Sequence, residues 1–473
     1  MKNLLKAGLI VGLLLFSSPI KISAAETLPI DLNQSIKMAL MNNRTIEQSA
    51  KDRESALWQY SQARRTMGPK LTWNSSLMHI GGRDYSSYRE AHDYDSGQYP
   101  SYDNEFTNSI GIEMPLYTGG QNESQIDYTR YRINQADLTL ENTLQEIKYQ
   151  TTAAYYQMLQ RRALIKVEEE SVRTLQEHLD NVNFQFEVGT VAKSDVLASK
   201  VQLAARQQSL VTAQGDYSNA MADLSNLIGV PLGTNLAAEE ELTYTKYNRS
   251  LEECIEYALK NRPDGVAAEY AIKQAEMSIK GAKAGYRPKI AASVNKNIAG
   301  EGSFSQNHSE SWSAGLSLSW DIFDNGVTSS QVHAAQSELE KIQSQALQMK
   351  ERIQLEVTKA YTDLISAEKN ISTTSETIKI AEEDYFIAQL RYNEGIDTNL
   401  SVMDAQKNLT EARTNYYNAL YNYNIAVAAL DKATGVPIII NVPVYVAAEQ
   451  NTNSPKKALQ KSLINSSEVE VEK

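Results

Sequence analysis

Two periodicities take turns along this chain, and they do so twice. Residues 30–68 carry a helical pattern that ends at Pro69, because proline stops or kinks a helix. Residues 71–80 and 106–117 then alternate. Phe106, Ile110, Ile112, Met114 and Leu116 take one face, and Thr107, Ser109, Gly111 and Glu113 the other. Further on, Ile290, Val294 and Ile298 alternate with Ala291, Ser293, Asn295 and Asn297 over 290–298. Over 312–323, Trp312, Leu316, Leu318, Trp320 and Ile322 oppose Ser313, Gly315, Ser317, Ser319 and Asp321. Period two over about ten residues, apolar on one face and small-polar on the other, is the pattern of a membrane-spanning barrel strand. It also fits a half-buried strand of a soluble sandwich.

After each strand pair the helical period returns and persists. Positions 147, 151, 154, 158, 161, 165, 168, 172, 175, 179, 182 and 186 keep a 3.5-residue spacing, repeated from Ile353 to Tyr392. A sustained 3.5 period predicts left-handed coiled-coil packing. A helix from Gln121 to Glu187 is about 100 Å long at 1.5 Å per residue. Beyond Gly189 a returning helix shows Leu203, Leu210, Tyr217 and Leu224 seven apart. Gly189 and Gly395 are therefore expected to close two hairpins at the far end of a helical rod.

The chain is a duplication. An offset of 206 maps Gly189 onto Gly395, Leu203 onto Leu409 and Gly229-Val230-Pro231 onto Gly435-Val436-Pro437. Upstream the offset is 219, mapping Leu32 onto Leu251 and Pro69-Lys70 onto Pro288-Lys289. The difference places 13 extra residues in the first copy, within the Gly-, Tyr- and Asp-rich segment that follows residue 80. The division expected is a signal peptide at 1–25, a first repeat at 26–248, a second at 249–445, and a polar, disordered tail at 446–473.

The signal peptide rests on Lys2 and Lys6 ahead of the apolar run Leu9–Phe16, with Ser23-Ala24-Ala25 for cleavage. That run is too short to span a bilayer as a helix. Its removal takes three lysines and no acids, so the formal charge moves from −12 to −15. Such a balance argues against nucleic acid as a partner, which needs clustered positive charge. The single cysteine, Cys254, excludes an intrachain disulfide and reads as a small apolar helix residue. No metal, nucleotide or nucleophile motif appears, so the chain reads as a non-enzyme with no cofactor.

Four strands per chain cannot form a lipid-embedded barrel alone, since both sheet edges would expose unpaired backbone groups. Two chains would give eight strands, too narrow for an open lumen; three would give twelve, wide enough for a water-filled passage. The duplication, the junctions MPLYTGGQ (114–121) and WDIFDNGV (320–327), and the paired glycine hairpins, in this order and spacing, resemble the TolC-type outer membrane factors. These are the exit ducts of tripartite efflux pumps and type I secretion systems.

The resemblance implies a homotrimeric twelve-stranded outer membrane barrel continued by an α-helical periplasmic tunnel. It implies an equatorial domain from 229–248 and the segment after Gly435, a periplasmic adaptor, and an inner membrane transporter. Trp73, Tyr117, Trp320 and Phe323, near strand ends, suit a belt at the lipid headgroups. Leu316, Leu318 and Trp320 are expected to face lipid, and Ser317 and Ser319 the lumen.

Val188-Gly189-Thr190 resembles the family's adaptor-docking tip, and Glu394-Gly395-Ile396 departs from it by a charge. Asp195 and Tyr392 match a tyrosine–aspartate pair of the family's periplasmic gate. Ser401 and Asp404 match its two constricting aspartates, one of which is therefore missing. In a trimer Asp404 would form one ring of three carboxylates, a possible cation site. Two plainer readings stand beside these: the glycines serve only the turn, and the aspartates are first-turn residues favoured by the helix dipole. The rival for the whole chain is a structural or adhesive periplasmic coiled coil without an open lumen.

Overall fold

The computed structural model describes residues 28–79, 104–238, 240–300 and 308–436. The expected signal peptide, most of the inserted loop, nearly all of the segment after Gly435 and the tail lie outside the described residues. The first copy comprises β1 (Leu28–Ile30), α1 (Leu32–Asn42), α2 (Arg44–Arg65), β2 (Lys70–His79), β3 (Asn104–Tyr117), α3 (Gln121–Glu187), α4 (Lys193–Ile228) and β4 (Leu236–Ala238). The second comprises α5 (Leu251–Asn261), α6 (Pro263–Lys283), β5 (Lys289–Gly300), β6 (His308–Ser319), α7 (Val327–Asn393) and α8 (Asn399–Thr434).

The helical stretch read over 30–68 is two helices. Asn43 interrupts it with extended backbone, and its side chain accepts the Thr45 N–H at 2.9 Å. An asparagine at this position satisfies an N–H that the helix start leaves open. The same amide donates to the Leu227 carbonyl at 3.3 Å. Its equivalent 219 residues later, Arg262, breaks the second copy and pairs with Asp264 and Glu356, each at 2.7 Å.

β2, β3, β5 and β6 form one antiparallel sheet in that order. The β3–β5 pairing is the seam between the two copies, and β2 and β6 are its edges. The register carries the apolar faces into line: Leu71, Ile112, Val294 and Ala314 make one row, flanked by Thr72, Gly111, Asn295 and Ser313 on the other face. Pro115, which lacks an N–H, sits beside a register shift that leaves Tyr117 opposite Ile290, as expected where a ladder bond is missing. β6 ends at Ser319, so Trp320 and Phe323 follow the strand rather than close it. Trp73 is the fourth residue of β2, but β2 starts further up the sheet than the end where β5 begins and β6 stops. It lies in a row with Ile110, Lys296 and Trp312, about 23 Å along the strands from the Lys289–Ser319 end at 3.3 Å per residue.

α3 and α7 are each 67 residues long. The 3.5-residue seam is buried at Ile147, Met158, Leu175, Leu179 and Val182 in α3, and at Ile353, Val357, Leu364, Ala388 and Tyr392 in α7. It changes chemistry where the sequence puts charge on it. Arg161 pairs with Asp216 at 3.0 Å, and Glu168 with Arg206 at 3.4 Å, across the α3–α4 hairpin. Phe186, the last seam position of α3, is 42% exposed.

A pairing invisible to periodicity closes the middle of the rod. β1 and β4 form a two-stranded parallel sheet whose Ile30 and Leu236 pack with Tyr155, Met158, Leu224 and Ile228. The second copy builds its core around Ile353, Leu364, Tyr423 and Leu430, with Cys254 buried in it as a small apolar residue.

Candidate functional site

A conduit built on this fold has two functional ends, a barrel and a pair of helix-hairpin tips. At the first tip Gly189 has φ +81°, and the Thr190 N–H reaches the Gln185 carbonyl at 2.9 Å. At the second, Gly395 has φ +70°, and the Ile396 N–H reaches the Arg391 carbonyl at 2.9 Å. Both are the same left-handed helix-ending motif. A Cβ at either glycine would meet nothing within 4 Å, so backbone conformation rather than crowding calls for glycine. Val188 and Ile396 are 59% and 69% exposed. Thr190 donates its hydroxyl to the Gln185 carbonyl, and Glu394 is the exposed cap of α7.

Behind the tips lie the four expected gate residues. Asp195, in the first turn of α4, accepts the Ala192 N–H at 3.2 Å. Tyr392 is buried in α7, and among the described residues its hydroxyl has no hydrogen-bond partner. The Tyr392–Asp195 hydrogen bond is therefore not made within the chain. The two are nonetheless neighbours: burial, then the Asp195 charge, pushes the Tyr392 phenol pKa up. Asp404 is exposed on α8.

Ser401 sits where a carboxylate was expected, and it holds one. Its hydroxyl donates to Asp397 Oδ1 at 2.6 Å. That bond, with the Thr398 N–H and the nearby Arg391 charge, keeps the Asp397 carboxyl below its ordinary range. Asp397 is thus a carboxylate four residues before the position that lacks one, in the turn that precedes α8, and matching residues by offset could not find it. Among the described residues no three His, Cys, Asp or Glu side chains cluster to hold a metal.

The two hairpins meet mainly through α3 and α8, and this contact is polar at successive levels. Gln160 donates to Asn418 at 2.7 Å, Gln406 to Ser171 at 2.6 Å, and His178 Nε2 lies 2.6 Å from Asn399 Oδ1. Asn181 of α3 also donates to Asn393 of α7 at 2.8 Å. His178, Asn399, Ser199, Ser171, Gln406 and Thr410 are all buried. Sequence reading passed over this ladder because single polar residues beside a coiled-coil seam look like its solvated flank. The signal available was that several fall at neighbouring levels of both copies.

Comparison with known proteins agrees with this architecture. The family model described as "Outer membrane efflux protein" matches residues 35–230 and 254–436, one stretch in each copy. The outer membrane protein TolC of Escherichia coli (strain K12) is 24% identical over 462 residues, covering 92% of this chain and 87% of that one. The alkaline protease secretion protein AprF of Pseudomonas aeruginosa is 22% identical, covering 89% and 88%. The crystal structure of the outer membrane protein VceC from Vibrio cholerae superposes with a TM-score of 0.70 at 18% identity, covering 85% of this chain and 96% of that one. A family model spanning most of the chain, matched in both copies, shows that this chain belongs to the outer membrane efflux protein family.

Proposed function

We propose that three copies of this chain close one twelve-stranded barrel in the outer membrane. Their six helical hairpins then form a periplasmic tunnel, and the trimer is the passive exit duct of a tripartite efflux pump or a type I secretion system. An inner membrane transporter would be engaged through a periplasmic adaptor. The observation that carries this reading is the four-stranded sheet with two open edges, β2 and β6, running into two helices of 67 residues. In lipid an open edge costs several kcal/mol per unpaired group, so only closure with other copies satisfies it. The names of TolC and AprF support the two settings, an outer membrane protein and a protein-secretion component.

The domain division follows: signal peptide 1–25, repeats 26–248 and 249–445 meeting at the β3–β5 seam, and tail 446–473. In this reading the lipid face carries the row Leu71, Ile112, Val294 and Ala314. Tyr117, Trp320 and Phe323 mark the periplasmic edge of the bilayer. Trp73, joined by Trp312, lies one same-face row further toward the outer leaflet, where Lys296 pairs with Glu310 at 3.2 Å on that face and so presents no unpaired charge to lipid.

Asp195, Tyr392, Ser401 and Asp404 form the closing region, Ser401 acting through Asp397. Three chains place rings of Asp404 and Asp397 around the axis, and a cation would relieve their repulsion. The test is single-channel recording of purified trimers in planar bilayers with divalent or trivalent cations on the periplasmic side. Asp404→Ala is expected to weaken cation block, and Asp397→Ala to weaken it further. Folded trimers without conductance, even in these variants, would instead favour the structural coiled-coil reading.

The tips Val188, Gly189, Thr190, Glu394, Gly395 and Ile396 form the adaptor-docking surface. Ile396→Asp or Thr190→Lys is expected to abolish transport in cells while trimers assemble normally. Retained transport would leave these residues only their role in the turn.

A further inference from the structure

His178, on the inward face of α3 near the tips, is 3% exposed and its ring centroid lies 5.3 Å from that of Tyr392. It is tied to the other hairpin through Asn399, the first residue of α8. Asn399 Nδ2 lies 3.1 Å from the Asp195 backbone carbonyl and 3.1 Å from Ser199 Oγ. A carbonyl only accepts, so the amide nitrogen must face Asp195 and the amide oxygen must face His178. That oxygen in turn requires a hydrogen on His178 Nε2. The neutral ring then carries its lone pair on Nδ1, which is buried without a partner. One asparagine therefore ties α3, α4 and α8 together, with His178 Nε2 as the donor from α3.

We propose that the His178–Asn399–Ser199 cluster is an acid-sensitive latch that holds the two hairpins of each chain together at the closed end of the duct. The inference rests on reading the chain as a gated conduit. Protonation would place a hydrogen on Nδ1 with no acceptor and a charge in a buried site, so the clamped arrangement rejects it. No charged partner compensates at the ring. On α3, Glu177 is paired with Arg173 at 2.7 Å and Asp180 accepts from Gln176. On α4, the Asp195 carboxylate is held at the Ala192 N–H. From α7 the ring meets the Tyr392 phenol, while Arg391 faces Asp397 in the turn before α8. Burial, only partly offset by the Asn399 bond, lowers the His178 pKa.

The direction follows from linkage. A separated arrangement, with water at the ring, titrates at the ordinary value of about 6.5, and the latched one takes the proton less readily. Closure is therefore fully present above about pH 6.5 and is lost as pH falls below it. Between pH 7.5 and 5.5 the ratio of separated to latched hairpins rises by up to about tenfold per chain.

Two measurements on full-length trimers test this. The first is amide hydrogen exchange of segments 178–200 and 388–405 at both pH values, corrected for the intrinsic pH dependence of exchange. The second is resting conductance with the periplasmic side at the same two pH values. Wild-type protein is expected to show faster tip exchange and higher conductance at pH 5.5. His178→Gln, which keeps a donor but does not titrate, is expected to be flat, and Asn399→Ala to exchange fast at both. A His178→Gln protein that keeps the wild-type pH response would overturn the latch, as would wild-type tip exchange in Asn399→Ala at pH 7.5. A pH-dependent exchange without conductance in any variant supports the latch and removes the conduit reading instead.

Discussion

Val294→Arg is expected to prevent assembly of the duct in the outer membrane, while Asn295→Arg, one residue along the same strand, assembles. Val294 is 50% exposed in the single chain and lies in the row Leu71, Ile112, Val294, Ala314. That row falls midway between Tyr117 and Phe106 on β3, at the middle of the lipid-facing band in the proposed barrel. An arginine there costs about 2–4 kcal/mol, falling to about 0–1 near the interfaces. Three chains share the barrel, so the penalty enters three times. Asn295 pairs with Gly111 and Ser313 on the opposite, polar face, where a charge stays hydrated. Leu318, the position the alternation alone would have chosen, sits one residue from the end of β6 beside Trp320 and falls in the cheaper zone. Heat-resistant trimers in outer membrane fractions would report the outcome. Equal assembly of Val294→Arg and Asn295→Arg would reverse or dissolve the assignment of faces.

Tyr155→Ala is expected to destabilise the middle of the rod by about 3–5 kcal/mol, the range for removing a large buried aromatic side chain. Its ring is 0% exposed and packs among Ile30, Leu224, Ile228 and Leu236. Removing it undercuts the β1–β4 sheet as well as the α3–α4 seam. The hydroxyl donates to Glu240 at 3.1 Å, so Tyr155→Phe tests that bond alone, at about 0.5–1.5 kcal/mol. Thermal unfolding and protease resistance of purified protein measure both. If Tyr155→Ala unfolds no earlier than Tyr155→Phe, the equatorial core is not where the rod gains its stability.

The duplication, the two strands per copy, the long helices and both hairpin turns were legible in the sequence. Each is written in local terms: period two, period 3.5, and a glycine at each helix end with the left-handed backbone its turn needs. The helix Gln121–Glu187 has the bounds the pattern implied, because its ends are set by neighbouring residues. The same holds for the apolar face of the sheet, since alternation assigns a face before any partner strand is known.

Tertiary structure decided what depends on residues far apart. The two copies fill their cores differently. Tyr155 on the ascending helix does so in the first, whereas in the second the fully buried ring is Tyr423 on the returning helix, whose hydroxyl donates to the Thr245 carbonyl at 2.7 Å. Their counterparts by offset, Tyr361 and Tyr217, are only partly buried. β1 finds β4 across more than 200 residues, and three residues are too few for a periodicity to show. Register, not alternation, set Trp73 level with Trp312 and left Leu318 one residue from the end of β6. His178, Asn399 and Ser199 each look unremarkable in their own helix. Only the packing of one hairpin against the other buries them together, and burial is what makes an imidazole proton matter.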